Sequence, residues 1–235
     1  MRLRWIGLVL PPLIGASCAK FPDSSADVGD TRILFSMTVS GQIRSDYVYI
    51  VAIRVSNDLN PTGTGPQPVV TYPSANGFVA GGATHFVRWD PLQSRSYTLY
   101  RFSDPSDGTT TDGLTSYVAV GIPITQTDVT EGSRKISFEL STRQLADTVA
   151  TASALQSVRV NFLTMNRIAL ESGSGRVFDG LGDTRTVNEI NTYFQFPINT
   201  SGTYSNARQA ELEPTGDVQD PDLDISDWSV EVRRQ

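Results

Sequence analysis

The chemistry open to this chain is bounded by the residues it holds few of. It has one histidine and one cysteine, so a metal centre built on paired imidazoles or thiolates cannot be assembled. A Ser-His-Asp relay would have to use His85, and no G-x-S-x-G elbow accompanies it. His85 lies in the alternating stretch THFVRW beside aromatic residues, which reads as a histidine packed within a sheet. The lysines are Lys20 and Lys135, and no G-x-x-x-x-G-K-[ST] run offers a phosphate cradle. The pairs Gly63/Gly65, Gly173/Gly175 and Gly180/Gly182 lack the third glycine of a dinucleotide fingerprint and read as loop glycines. Schiff-base chemistry would rest on Lys135 alone.

Carboxylates are plentiful, with 18 aspartates, but most stand in turns, where Asp caps the local backbone. Any two could be chosen as the pair a glycoside hydrolase needs, so the pattern does not single one out. A more specific spacing is Asp220, Asp222 and Asp224 in DPDLDISD. Alternate oxygen ligands of this kind suit calcium, although Ile225 stands where such loops carry glycine. The competing reading is an acidic approach to the last strand, with Ile225 in the core. Asp104, Asp107 and Asp112 form a second acidic loop around Gly108 and Gly113. Aromatic side chains supply the remaining handle, because sugar rings stack on exposed aromatic faces. Tyr72, Phe78, Trp89 and Tyr100 lie in or beside the 70–102 region with its glycine-rich run ANGFVAGG, and periodicity does not tell which of them face solvent.

The net charge of −6 runs against nucleic-acid binding, which needs a basic surface. At the N-terminus Arg2 and Arg4 precede the apolar run Trp5–Ile14, then Gly15, Ala16, Ser17 and Cys18. Ten apolar residues rise only about 15 Å as a helix, half a bilayer core, so an export signal fits better than a spanning anchor. Gly15-Ala16-Ser17-Cys18 is similar to a bacterial lipobox, with glycine where leucine is usual, while Ser17-Cys18-Ala19 would suit ordinary cleavage and secretion. A lone cysteine placed where a lipobox needs it favours the lipoprotein. Residues 1–17 are then the signal peptide, Cys18 carries the acyl chains, and residues 18–30 form a polar tether. Ala19, in place of aspartate after the cysteine, resembles lipoproteins sent to an outer membrane, given a two-membrane bacterium. Removing Arg2 and Arg4 from the 19 basic residues leaves 17 against 25 acidic ones, a mature charge of −8.

From Thr31 onward the apolar period is two. Ile33/Phe35/Met37/Val39, Ile136/Phe138/Leu140, Val158/Val160/Phe162 and Trp228/Val230/Val232 each mark a strand with one buried face. Tyr47–Val55 is apolar on both faces until Arg54 and reads as a central strand. His85–Trp89, Tyr97–Phe102, Tyr117–Val120 and Tyr193–Phe196 complete the set. One helix is expected, capped by Ser141 with Gln144 and carrying Leu145, Val149, Ala152 and Leu155 at helical spacing. The prediction is one all-β domain over 31–235, a two-sheet antiparallel β-sandwich of about nine strands with one short helix.

Two stretches carry a family resemblance. DYVYIVAIRV (46–55) is similar to the early strand of DOMON-like domains and family 9 carbohydrate-binding modules. KISFELSTRQL (135–145), the strand over 157–164 and SGRVFDGLGD (174–183) resemble their later strand–short helix–strand segment, and together these cover about a third of the domain. The resemblance implies a β-sandwich that binds sugar or, in some relatives, haem through a Met/His pair. Here that pair would come from Met37, Met165 and His85, and Met37 fits a core strand instead. The resulting expectation is a membrane-anchored, non-catalytic binding module of the bacterial cell envelope, with polysaccharide as first ligand and no nucleic acid. The rival is an assembly lipoprotein docking on envelope proteins through a sheet edge or apolar patch. No cofactor is expected unless calcium binds the acidic loop.

Overall fold

Alternation of apolar and polar residues puts every second side chain on one face of an extended chain, and burial of that face sets the architecture. The computed structural model describes residues 30–70, 76–105, 114, 116–167, 176–186, 189 and 191–234. Among them are fourteen strands: β1 (Thr31–Val39), β2 (Tyr47–Ser56), β3 (Pro66–Pro68), β4 (Val79–Gly81), β5 (His85–Trp89), β6 (Tyr97–Phe102), β7 (Tyr117–Gly121), β8 (Thr125–Gln126), β9 (Lys135–Ser141), β10 (Ser157–Asn166), β11 (Phe178–Gly180), β12 (Phe194–Pro197), β13 (Gly202–Ser205) and β14 (Ile225–Arg234). All nine expected stretches are strands. The other five, β3, β4, β8, β11 and β13, span two to four residues, too short to display an alternation.

Every ladder is antiparallel. One sheet has the order β13-β14-β1-β9-β8, and the larger one β11-β10-β2-β5-β6-β7, with β12 also paired to β10. Strands β3 and β4 form a separate hairpin. The two sheets pack face to face over a core that joins Phe35, Met37, Phe138 and Trp228 of the smaller to Tyr49, Val87, Tyr97 and Phe162 of the larger. Ring contacts cross the layer, Tyr97 to Phe138 at 5.9 Å and Phe162 to Trp228 at 5.7 Å. The outer face of the larger sheet is also apolar: Val48, Ile50, Ala52, Phe86 and Met165 are covered by Val79, Ala83 and Leu114. This second layer explains why β2 is apolar on both faces.

The expected helix is split. Ser141 and Gln144 form the capping box, but they cap a 3-10 turn over Thr142–Leu145. Ala146 is extended and ends it, and Thr148 with Thr151 caps a second element, α1 (Val149–Ala154). Consequently Val149, expected on the apolar face, is exposed. Asp30, placed in the tether by its sequence context, belongs to the fold. Its buried carboxylate accepts hydrogen bonds from Ser141 Oγ at 2.5 and 2.7 Å. Ser141 Oγ also accepts from the Arg143 amide. Ser141→Ala removes both the cap and the donor to a buried acid, and is expected to lower stability by about 1–3 kcal/mol in urea denaturation.

Candidate functional site

The larger sheet ends at β7, which pairs only with β6 among the described residues. The stretch from Tyr117 to Thr127, YVAVGIPITQT, has no charged residue. Val118 is 50% exposed, Val120 43%, Ile122 39% and Ile124 40%. A register shift opposite Leu99/Tyr100 and Pro123 partly blunt this edge. Edge strands are commonly guarded by charge, and this one is not. A relay of hydrogen bonds runs from Asp30 through Ser141 to Gln144, whose Nε2 donates to the Ile122 carbonyl at 2.7 Å. The apolar edge therefore lies at the end of the sandwich where the chain enters β1.

The aromatic candidates divide. Trp89 is only 5% exposed and sits in the inter-sheet core, edge-on to Tyr49 at 5.8 Å, so it is not available to stack on a ligand. The alternation of β5 points it inward together with Val87. Phe78 and Tyr100 are half-buried on the outer face, with the Arg88 guanidinium 5.5 Å from each ring centroid. Tyr100 also stacks on Phe86 at 4.8 Å. Tyr72, Cys18, Asp107 and Asp112 lie outside the described residues.

The acidic run does not make a cation loop. Asp220 accepts from the Tyr47 hydroxyl (2.5 Å) and the Asp222 amide, and Asp222 from the Gln42 amide (2.7 Å). Asp224 accepts from the Gly216 amide (2.7 Å) and the Ser40 hydroxyl. Each carboxylate is drawn to a different partner, and this trio, weighed between calcium ligands and an acidic approach to the last strand, is not among the described acids whose oxygens gather within 4.8 Å of one another. As a consequence of its bond to Asp220, the Tyr47 phenol is pushed up to about 12. Asp104 accepts from the Ser116 amide.

A different trio gathers. Asp179 of β11, with Glu213 and Asp217 from the long loop before β14, brings carboxylate oxygens within 4.8 Å of one another. They are 0%, 1% and 9% exposed. Asp179 accepts from the Gly180 (2.8 Å) and Ile225 (2.6 Å) amides, Glu213 Oε2 from the Gly182 amide (3.0 Å), and Asp217 Oδ2 from Thr184 Oγ1 (2.7 Å) and its amide (2.8 Å). Glu213 Oε1 and Asp217 Oδ1 are buried with no hydrogen-bond partner. Burial, and then mutual repulsion, hold Asp179 and Glu213 far above the usual carboxylate range, and burial raises Asp217. Asp217 lines a cleft of about 300 Å³ with Arg176, Phe178 and Thr184, and Glu213 lines a neighbouring one of about 460 Å³. Gly182, at φ +104°, carries the turn that brings its amide to Glu213; a Cβ there would collide with the Glu189 carbonyl. No sequence spacing announces this trio, because its members are scattered over 179–217.

His85 is 4% exposed, and its Nδ1 lies 2.9 Å from Thr84 Oγ1. Burial, and then the positive charge of Arg101, pull the imidazole down to about 4. Met37 lies in the inter-sheet core and Met165 in the outer layer. His85 pairs with Ile53 and Met165 with Val48, five residues apart on β2 or about 17 Å, so His85 and Met165 do not stand as axial partners. Among the described residues no helix is long and apolar enough to cross a membrane. Compared with protein-family models, curated proteins and solved structures, the chain matches none.

Proposed function

We infer that this chain is a lipid-anchored, non-catalytic module of the bacterial cell envelope that docks on an envelope protein through β7. The observation that carries the reading is the uncharged edge of β7 with Val118 and Val120 exposed, continued by the exposed Ile122 and Ile124 of the link to β8. The partner is an extended, apolar segment of another protein that adds a strand to this edge, main-chain hydrogen bonds giving affinity and the alternating Val and Ile side chains giving fit. The anchor rests on Cys18 in its lipobox-like setting. A non-catalytic role is supported by His85, which is buried, neutral at pH 7 and engaged with Thr84.

A photo-crosslinking residue at position 120, in cells, is expected to recover one stoichiometric protein, with the adduct lost in Val120→Lys/Ile124→Lys. Both sites are exposed, so stability is expected to stay within about 0.5 kcal/mol of wild type. An adduct pattern equal to that from a crosslinker on the opposite edge, at Thr203 of β13, would remove the docking reading. Mass spectrometry finding Cys18 as an unmodified thiol would remove the anchor. A second reading, polysaccharide binding, is supported by Phe78 and Tyr100 sharing one face around Arg88. It requires that Tyr100→Ala weaken binding of a soluble glucan or xylan in calorimetric titration.

A further inference from the structure

The loop from Asn206 to Asp224 crosses the end of the sandwich and meets β11 through carboxylates, with no base between them. Among the described residues none of Asp179, Glu213 and Asp217 is in an ion pair. Arg185, which feels the charge of Asp217, is an exposed guanidinium already held by Asp183 at 2.8 and 3.0 Å, and Arg176, across the same cleft, donates to the Val69 and Gly77 carbonyls. Three acids are thus buried together, and a buried charge that is neither paired nor fully hydrogen-bonded is strongly unfavourable. The cluster alone would be no more than an acidic pocket. What points to a ligand is that Glu213 Oε1 and Asp217 Oδ1, on side chains more than nine-tenths buried, have no donor at all. Their partner oxygens are satisfied by the Gly182 amide and by the Thr184 amide and hydroxyl, so one oxygen of each acid is held in place and the other is left without a donor among the described residues.

We propose that Asp179, Glu213 and Asp217 hold a calcium ion that fastens the loop before β14 to β11. The donor set is all oxygen, which selects a hard cation over zinc or copper. Oxygens on one calcium at 2.3–2.6 Å stand at most about 5 Å apart, and the three acids bring theirs within 4.8 Å of one another. Magnesium uses one or two carboxylates in strict octahedral geometry, whereas three convergent carboxylates suit the larger and more flexible calcium shell, completed by water from the clefts beside Glu213 and Asp217. Asp224 adds negative potential without being a ligand, since it stands outside the group whose carboxylate oxygens lie within 4.8 Å of one another. The ion is structural: it neutralises the cluster and locks Glu213, whose main chain is clamped by Asn206 through its amide at 2.9 Å and its carbonyl at 2.6 Å.

The test is calorimetric titration of the EDTA-treated, desalted full chain with CaCl2 up to about 10 mM, beyond the range of weak extracellular calcium modules. One ion per chain is expected, together with a rise in Tm of about 5 °C or more at saturation. Glu213→Gln keeps the shape and the acceptor for Gly182, and is expected to weaken binding more than tenfold and abolish the Tm response. Glu211→Gln, an exposed acid on the same loop, should leave affinity within twofold. If Glu213→Gln does not fold, the wild-type titration with and without chelator still decides. Absence of calcium heat together with a Tm indifferent to chelator overturns the proposal, leaving a proton shared among the acids. Tighter binding of magnesium than calcium overturns the assignment of the ion, and equal losses in the two variants overturn that of the site.

Discussion

Trp228→Ala is expected to lower stability by about 3–5 kcal/mol, the range for deleting a buried large aromatic side chain. Its indole contacts Phe162 of the opposite sheet at 5.7 Å and Phe194 at 5.1 Å, so truncation opens a cavity between layers that cannot collapse independently. Its ring N–H donates to Asn206 Oδ1 at 3.2 Å, and the same amide clamps Glu213. Trp228→Phe separates the two contributions. It retains much of the volume but removes the donor, and about 1–2 kcal/mol of loss is expected. Urea midpoints for the two variants measure the difference. A loss below about 1 kcal/mol for Trp228→Ala would mean that the sheets do not pack through this residue.

Acidification supplies the second large effect. The folded imidazole of His85 titrates near 4 against an ordinary 6.5, because protonation would place a charge in the sheet interior beside Arg101. Between those two values the unfolded chain takes up a proton that the folded chain refuses. The share of the stability that His85 supplies therefore falls as pH drops through the window from 6.5 to 4, opposite in sign to that of the buried Asp179 and Glu213, and this group has no influence above it. The full contribution is about 3 kcal/mol. His85→Asn cannot titrate, so between pH 6.5 and 5 its stability is expected to fall less with acidification than that of wild type, the difference between the two slopes cancelling the share of Asp179 and Glu213. Equal slopes for the two proteins would show that the imidazole takes its proton equally well folded or unfolded.

The regular strands were legible because burial acts on period-two patterns directly. Ile33, Phe35, Met37 and Val39 alternate in sequence and are all fully buried on one face of β1. The two-faced apolar run of β2 correctly indicated a strand covered on both sides. The capping box at Ser141 was legible too, although the extended Ala146 cut the helix it announced. Trp89 could not be told from the other aromatic candidates, because being in a strand does not say which side faces the second sheet. The acidic trio was invisible for a different reason. Asp220, Asp222 and Asp224 have the local spacing of a site but are separated by contacts to Tyr47, Gln42 and Ser40, whereas Asp179 and Glu213 meet only once the sheets and the loop before β14 have closed.

The position of β1 has a consequence for biogenesis. It is central in its sheet, and one of its two neighbours is β14, the last of the fourteen strands in chain order, Thr31 lying opposite Arg234. During synthesis the first strand waits with a bare side until the final one emerges, and the layer lacks Trp228, Val230 and Val232 until then. Such extreme sequence separation makes for slow acquisition of structure. The smaller sheet accordingly closes only once β14 is present, so this layer cannot be built up strand by strand in chain order.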